Sequence, residues 1–256
     1  MLKEGKTLLF DIKDSIGILT INNPPVNFFG SSFYQELDEF EQFISKQKLR
    51  AMIINAIGKH FSAGIDITYL QQASSQQVLD VMPMMQRIYS FWSEQNYPVI
   101  AAVQGRCLGS GVELILGCDI RMASESAVFA LPEVMLGLSP DMGGTARLTR
   151  LVGVGQANRM IVTCDQIDAA EALRIGMVEY VVPDEELQER AFKLAKKISK
   201  YPNAAVRYAK RGIQVTAEGG VYAGLLFEQA QSTYCCGSED LHNALDAFLA
   251  SLKTKK

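Results

Sequence analysis

Up to about residue 185 the chain alternates short apolar runs with amphipathic stretches of helical spacing; beyond that point only helical spacing remains. This change of period narrows the choice of fold more than any single motif, because strands alternating with helices read as an α/β body. Leu8, Phe10 and Ile12 alternate, DSIG turns, and Ile16 and Ile18 open a second apolar run, the signature of a hairpin. From Ser31, read as a helix cap, Phe33, Leu37, Phe40 and Ile44 fall at helical spacing. AMIINAI reads as a buried strand running into the loop GKHFSAGID. Val78, Met82, Met85, Tyr89 and Trp92 mark a second amphipathic helix that stops before Pro98. PVIAAVQG is another strand, and it enters GRCLGSGVELILGCDI. Helical stretches then follow at roughly 184–200, 203–217, 219–234 and 238–252. The organisation expected is a mixed core over residues 1–199 and a helical region over 200–256.

Composition removes several function classes. A formal charge of −3 gives no basic footprint for nucleic acid or an anionic membrane. No apolar segment approaches the roughly 20 residues that span a bilayer. The opening MLKEGKTLLF lacks the apolar core of a signal peptide. Cys107, Cys118, Cys164, Cys235 and Cys236 are odd in number and show no C-x-x-C spacing. They read as reduced thiols, so a cytoplasmic location is expected. His60 and His242 are the whole histidine supply, which weighs against a zinc site or a Ser-His-Asp triad. No metal is expected.

Two apolar strands run into small residues, at Ser62-Ala63-Gly64 and at Gly109-Ser110-Gly111. Backbone N–H groups can be left free in such loops, and the second opens a helix, VELILGC, whose first amides lack intrahelical partners. A pair of such donors is what an oxyanion hole requires. The plainer alternative is two ordinary tight turns. Two isolated acids add weight to the first reading. Glu113 stands in the first turn of that helix, where it could equally be a helix-start acid. Glu133 is the lone charge of FALPEVML, where it could equally be a surface acid at a strand end.

Taken in order, NPPVNFFGSSF, FSAGIDI, PVIAAVQGRCLGSGVELILGCDIRMAS, FALPEVMLGLSPDMGGTARLTRLVG and DAAEALRIGMVEYVVP resemble the crotonase, or enoyl-CoA hydratase/isomerase, superfamily. The resemblance covers nearly the whole chain. It implies an α/β fold, a spiral of ββα units with a C-terminal helical trimerisation region, assembled as a trimer or as a hexamer of two trimers. It implies acyl-CoA thioester substrates, no cofactor beyond the coenzyme A of the substrate, and oxyanion donors at the N–H groups of Ala63 and Ser110. The position of Ser110 is commonly glycine in hydratases. By the same resemblance, Glu113 helps activate a water that adds to C3 of a trans-2-enoyl chain, and Glu133 exchanges the proton at C2. Glu113, at a helix N-terminus, is expected to favour its ionised form, and Glu133, among apolar neighbours, a raised pKa. Pro25, Val26 and Asn27 are expected to shape the CoA entrance, with Ala63, Gly64, Ile65 and Asp66 lining the loop above it. Phe248 matches an aromatic that approaches the CoA of a neighbouring subunit; the basic stretch usual after it is replaced by LASLKTKK, in which Lys253 is the nearest substitute.

Asp141 departs from the hydratase pattern. Glycine is usual at this turn position, and an aspartate eight residues after Glu133 resembles dienoyl-CoA isomerases and some enoyl-CoA isomerases. Those isomerases of the dienoyl type carry aspartate where this chain has Glu113. S-P-D-x-G is also good turn chemistry, so Asp141 is either a turn-former or a third acid. As a third acid beside Glu133 it would disfavour double ionisation, and the two would titrate as a unit. The expected reaction is hydration, with isomerisation through Glu133 and Asp141 as the alternative. A non-catalytic RNA-binding homologue is the remote third possibility. The mostly acidic first helix, SSFYQELDEFEQFISK, argues against it.

Overall fold

The computed structural model describes residues 3–253; residues 254–256 and the side chain of Lys253 lie outside that description. Strands β1 (Lys3–Glu4), β2 (Leu8–Lys13) and β3 (Ile16–Ile21) form an antiparallel run. Helix α1 (Ser31–Ile44) then leads to β4 (Ala51–Ala56), α2 (Ile67–Gln72) and α3 (Ser75–Glu94). The chain continues through β5 (Val99–Val103), β6 (Arg106–Leu108), α4 (Ser110–Leu116), β7 (Ile120–Ser124) and β8 (Val128–Ala130). A 3-10 turn at Pro132–Leu136 precedes α5 (Gly144–Val162), β9 (Ile167–Asp168), α6 (Ala169–Arg174) and β10 (Tyr180–Val182). Helices α7 (Leu187–Ser199), α8 (Asn203–Cys236) and α9 (Glu239–Lys253) complete the described residues. The Ser31 cap is corrected: Gly30, in extended backbone, holds the cap position without a side-chain bond, and Ser31 is the first helical residue.

Among the described residues, the larger sheet has the order β1-β2-β3-β4-β5-β7-β10, parallel from β3 onward. Parallel neighbours cannot be joined by a tight turn, so each step needs a crossover, and the helices supply it. Both faces are covered, which explains why AMIINA and VIAAV read as continuous apolar runs rather than alternating ones. Met52, Ile54, Val99 and Ala101 face the main core with Phe33, Leu37, Tyr89 and Trp92. Ala51, Ile53, Ile100 and Ala102 face the other way, onto Leu187, Ala191 and Ala195 of α7. A smaller sheet, β6-β8-β9, stands beside the first and carries the loop that opens α4.

The two helical stretches expected near 203–217 and 219–234 are the halves of α8, which meet at Gly220 in left-handed backbone (φ 79°). Lys210 ties the first half to the body. Its buried ammonium donates to Asp119 Oδ2 (2.7 Å) and to the carbonyls of Tyr97 (3.0 Å) and Trp92 (3.2 Å). Ile213, Val221, Tyr222, Leu226, Phe248 and Leu252 are exposed along α8 and α9. No helix of the described residues is long and apolar enough to cross a membrane.

Candidate active site

The site starts from a single parallel bridge, Ser62 with Cys107, in which the Ser62 amide donates to Arg106 and the Leu108 amide donates to Ser62. Counting on from that bridge sets Gly64 opposite Gly109 and Ile65 opposite Ser110. Both glycines have positive φ (90° and 53°). A Cβ on Gly64 would sit 2.8 Å from the Leu108 carbonyl oxygen, and one on Gly109 would sit 3.1 Å from Glu133 Oε1. Only glycine allows this approach without strain.

The register moves one of the expected oxyanion donors. The Ala63 amide is already committed to the Val26 carbonyl (2.9 Å), and the Gly64 amide to Ser62 Oγ (3.0 Å). Of the amides from Ser62 to Asp66, Ile65's alone has no hydrogen-bond partner among the described residues, and at the opening of α4 those of Ser110 and Gly111 have none. For Ser110 the reason is general: it is the first residue of α4, and first-turn amides have no acceptor inside the helix. Ala63 is therefore corrected: its amide is not free to act as the expected donor, and the free amide of that loop is Ile65's, opposite Ser110. Sequence could not reveal this, because the bridge is isolated and lies outside any run of alternating residues.

Glu113 is buried one turn into α4, at 1% exposure. Its Oε1 accepts the amides of Met142 (2.8 Å) and Gly144 (2.9 Å), so the turn after Pro140 holds the carboxylate. Those bonds favour the ionised form, yet burial outweighs them and lifts the pKa to about 7. The expectation that a helix N-terminus would keep Glu113 ionised is thus overturned. Glu133, in the 3-10 turn after β8, is half-buried, and burial lifts its pKa to about 7 as well; its Oε2 has no hydrogen-bond partner among the described residues. Asp141 lies at the surface of the turn, its main-chain carbonyl bound by Gln86 Nε2 (2.8 Å). Its charge nevertheless reaches both glutamates and raises their pKa values, and partial desolvation raises its own. The structure therefore brings the three carboxylates into one electrostatic group.

The segment expected at the CoA entrance does lie against the 62–66 loop. Phe29 donates to Gly64, Asp66 donates to Phe29, and the 24–25 peptide bond is cis. Pro25 is exposed and Val26 half-buried, but Asn27 is fully buried. Its amide donates to the carbonyls of Ile57 and His60 (both 2.9 Å) and accepts the Asn23 amide (2.8 Å), which makes it a scaffold for the loop. Asp66 caps α2 by accepting the Thr68 amide (2.9 Å). His60 Nδ1 accepts the Arg106 amide and likewise supports a loop. Phe248 is exposed on α9. Among the described residues no cluster of three or more His, Cys, Asp or Glu side chains could hold a metal ion.

Free amides beside one buried and one half-buried carboxylate are the parts that an enzyme needs to stabilise an oxyanion and move protons beside it. Comparison with known proteins gives the family. The chain belongs to the enoyl-CoA hydratase/isomerase family, whose model matches residues 11–255. It is 34% identical to the short-chain-enoyl-CoA hydratase of Clostridium acetobutylicum over 253 residues, covering 98% of this chain and 97% of that one. It is 33% identical to the crotonyl-CoA hydratase of Syntrophomonas wolfei, covering 97% and 96%. The crystal structure of an enoyl-CoA hydratase from Bacillus anthracis superposes with a TM-score of 0.91 at 32% identity, covering 96% and 97%.

Proposed function

We propose that this chain adds water reversibly to trans-2-enoyl-CoA thioesters. The observation that carries the reading is the placement of Glu113 and Glu133 beside the register pair Ile65 and Ser110. The hydratase names of its relatives support the same reading. The two amides polarise the thioester carbonyl and take up the enolate charge that develops when water adds. Glu113, steadied by the Met142 and Gly144 amides, receives the proton of the attacking water. Glu133, with one oxygen unpartnered, supplies the proton at C2. Both carboxyls titrate near 7, so one ionised and one protonated member coexist at neutral pH. No metal or redox cofactor enters this scheme; coenzyme A is part of the substrate. Assembly through α8 and α9 into a trimer, or two trimers, would cover their exposed apolar residues and bring Phe248 toward a neighbouring subunit's CoA. A cytoplasmic location is part of the same reading.

Asp141 favours a second reading, isomerisation of 3-enoyl- or 3,5-dienoyl-CoA, because its charge acts on both glutamates. One experiment decides between them: incubate the purified protein with 2-enoyl-, 3-enoyl- and 3,5-dienoyl-CoA and identify each product. Hydration removes the conjugated enoyl-thioester absorbance, whereas moving a 3-enoyl double bond creates it. Under the leading reading Glu113→Gln and Glu133→Gln each lose roughly 10²-fold or more in hydration. Near-normal hydration by Glu133→Gln would overturn the assigned roles. Preferential conversion of 3-enoyl-CoA, abolished by Asp141→Asn, would establish the isomerase.

A further inference from the structure

Three hydroxyls from three helices meet beside Glu113. Tyr34 comes from α1, Tyr89 from α3, and Ser110 opens α4; their exposures are 2%, 0% and 2%. The two phenol rings are tilted, with centroids 6.5 Å apart. Ser110 Oγ lies close enough to influence both phenols, yet among the described residues none of the three oxygens has an aligned hydrogen-bond partner. Glu133 Oε2 adds a fourth buried oxygen without a partner. Each such group costs about 1–3 kcal/mol if nothing satisfies it, and phenylalanine would pack where either tyrosine stands. Burial raises both phenol pKa values, so they stay neutral O–H donors. Their position fixes what they could meet. Ser110 carries the amide assigned above to the thioester oxygen, and Glu113 follows one turn later in the same helix.

We infer that Tyr34, Tyr89 and Ser110 select an acyl chain that bears a neutral hydrogen-bonding substituent, a hydroxyl or carbonyl oxygen, beyond the reacting double bond. This rests on the reading that an acyl-CoA chain enters between Ser110 and Glu133. A purely apolar chain would leave the hydroxyls unpaired against hydrocarbon. A carboxylate would meet the hydroxyls but also the charges of Glu113, Glu133 and Asp141, which repel it.

The test uses saturated thioesters, which bind without reacting and so separate this inference from the hydratase reading. Dissociation constants of pentanoyl-, 5-hydroxypentanoyl- and glutaryl-CoA are measured by calorimetry on the intact protein. The hydroxylated chain is expected to bind about tenfold more tightly than pentanoyl-CoA. Glutaryl-CoA should bind less tightly than the hydroxylated chain. In Tyr34→Phe and Tyr89→Phe the ratio of the first two constants should fall toward one. Equal or tighter binding of pentanoyl-CoA by the unaltered protein overturns the inference whether or not the variants fold. So does a hydroxyl preference that survives both substitutions. If the preference holds but no 2-enoyl-CoA is hydrated, the hydratase reading fails and the inference stands.

Discussion

Glu113 shows how two local effects compete at one residue. A helix N-terminus contributes about 0.3–1 kcal/mol toward the charged form, rarely about 2. The net shift from 4.5 to about 7 runs the other way and corresponds to about 3 kcal/mol. Burial therefore wins, even with two amides on the carboxylate, and Glu133 adds repulsion. The folded pKa lies above the unfolded one, so the stability linked to Glu113 is complete below about 4.5 and disappears as pH rises through about 7. Glu113→Gln keeps an acceptor for Met142 and Gly144 but no charge. Thermal unfolding should accordingly show the variant more stable than the parent at pH 8, by at most about 3 kcal/mol, with little gain at pH 4.5. An equal effect at both pH values would contradict the burial argument. The sequence identified this residue but not its ionisation, because burial depends on α1, α3 and α5 closing over it.

At the scale of elements, the turn between the 3-10 segment and α5 holds Glu113 through its backbone. A Cβ on Gly144 would lie 2.6 Å from Pro140 Cβ and 2.8 Å from Glu113 Oε1, so glycine is what lets the amide reach the carboxylate. Gly144→Ala should displace Glu113 and weaken both bonds. Turnover should fall by roughly 10²-fold, in proportion to an ångström-scale misplacement, and the titration of activity near 7 should move upward. Steady-state kinetics across pH would check this; an unchanged profile would mean that the turn does not hold Glu113. The glycines of LGLSPDMGGT were visible in the sequence, but the carboxylate they approach lies about thirty residues upstream. Likewise the small residues at 62–64 and 109–111 announced free amides, whereas the register that selects Ile65 over Ala63 depends on one bridge between distant segments.

Across the whole molecule, the Lys210–Asp119 pair joins the helical tail to the sheet, since Asp119 Oδ2 also accepts the Val99 amide (2.8 Å). Removing one partner of a buried pair strands the other, at a cost of about 3–5 kcal/mol. Lys210→Met should lose stability of that order in urea titrations at pH 7. The loss should shrink at acid pH, where Asp119, whose pKa burial raises, becomes protonated. No change at pH 7 would show that the tail is anchored elsewhere. The α/β body, the helical tail, the two small-residue loops and the two glutamates follow from the sequence alone, because apolar period, glycine geometry and isolated charges are local properties of a chain. The free amide of Ile65, the raised pKa of Glu113, the reach of Asp141 and the clustering of the Tyr34 and Tyr89 hydroxyls are tertiary. Each depends on which groups the packed core brings together and which it withholds from water.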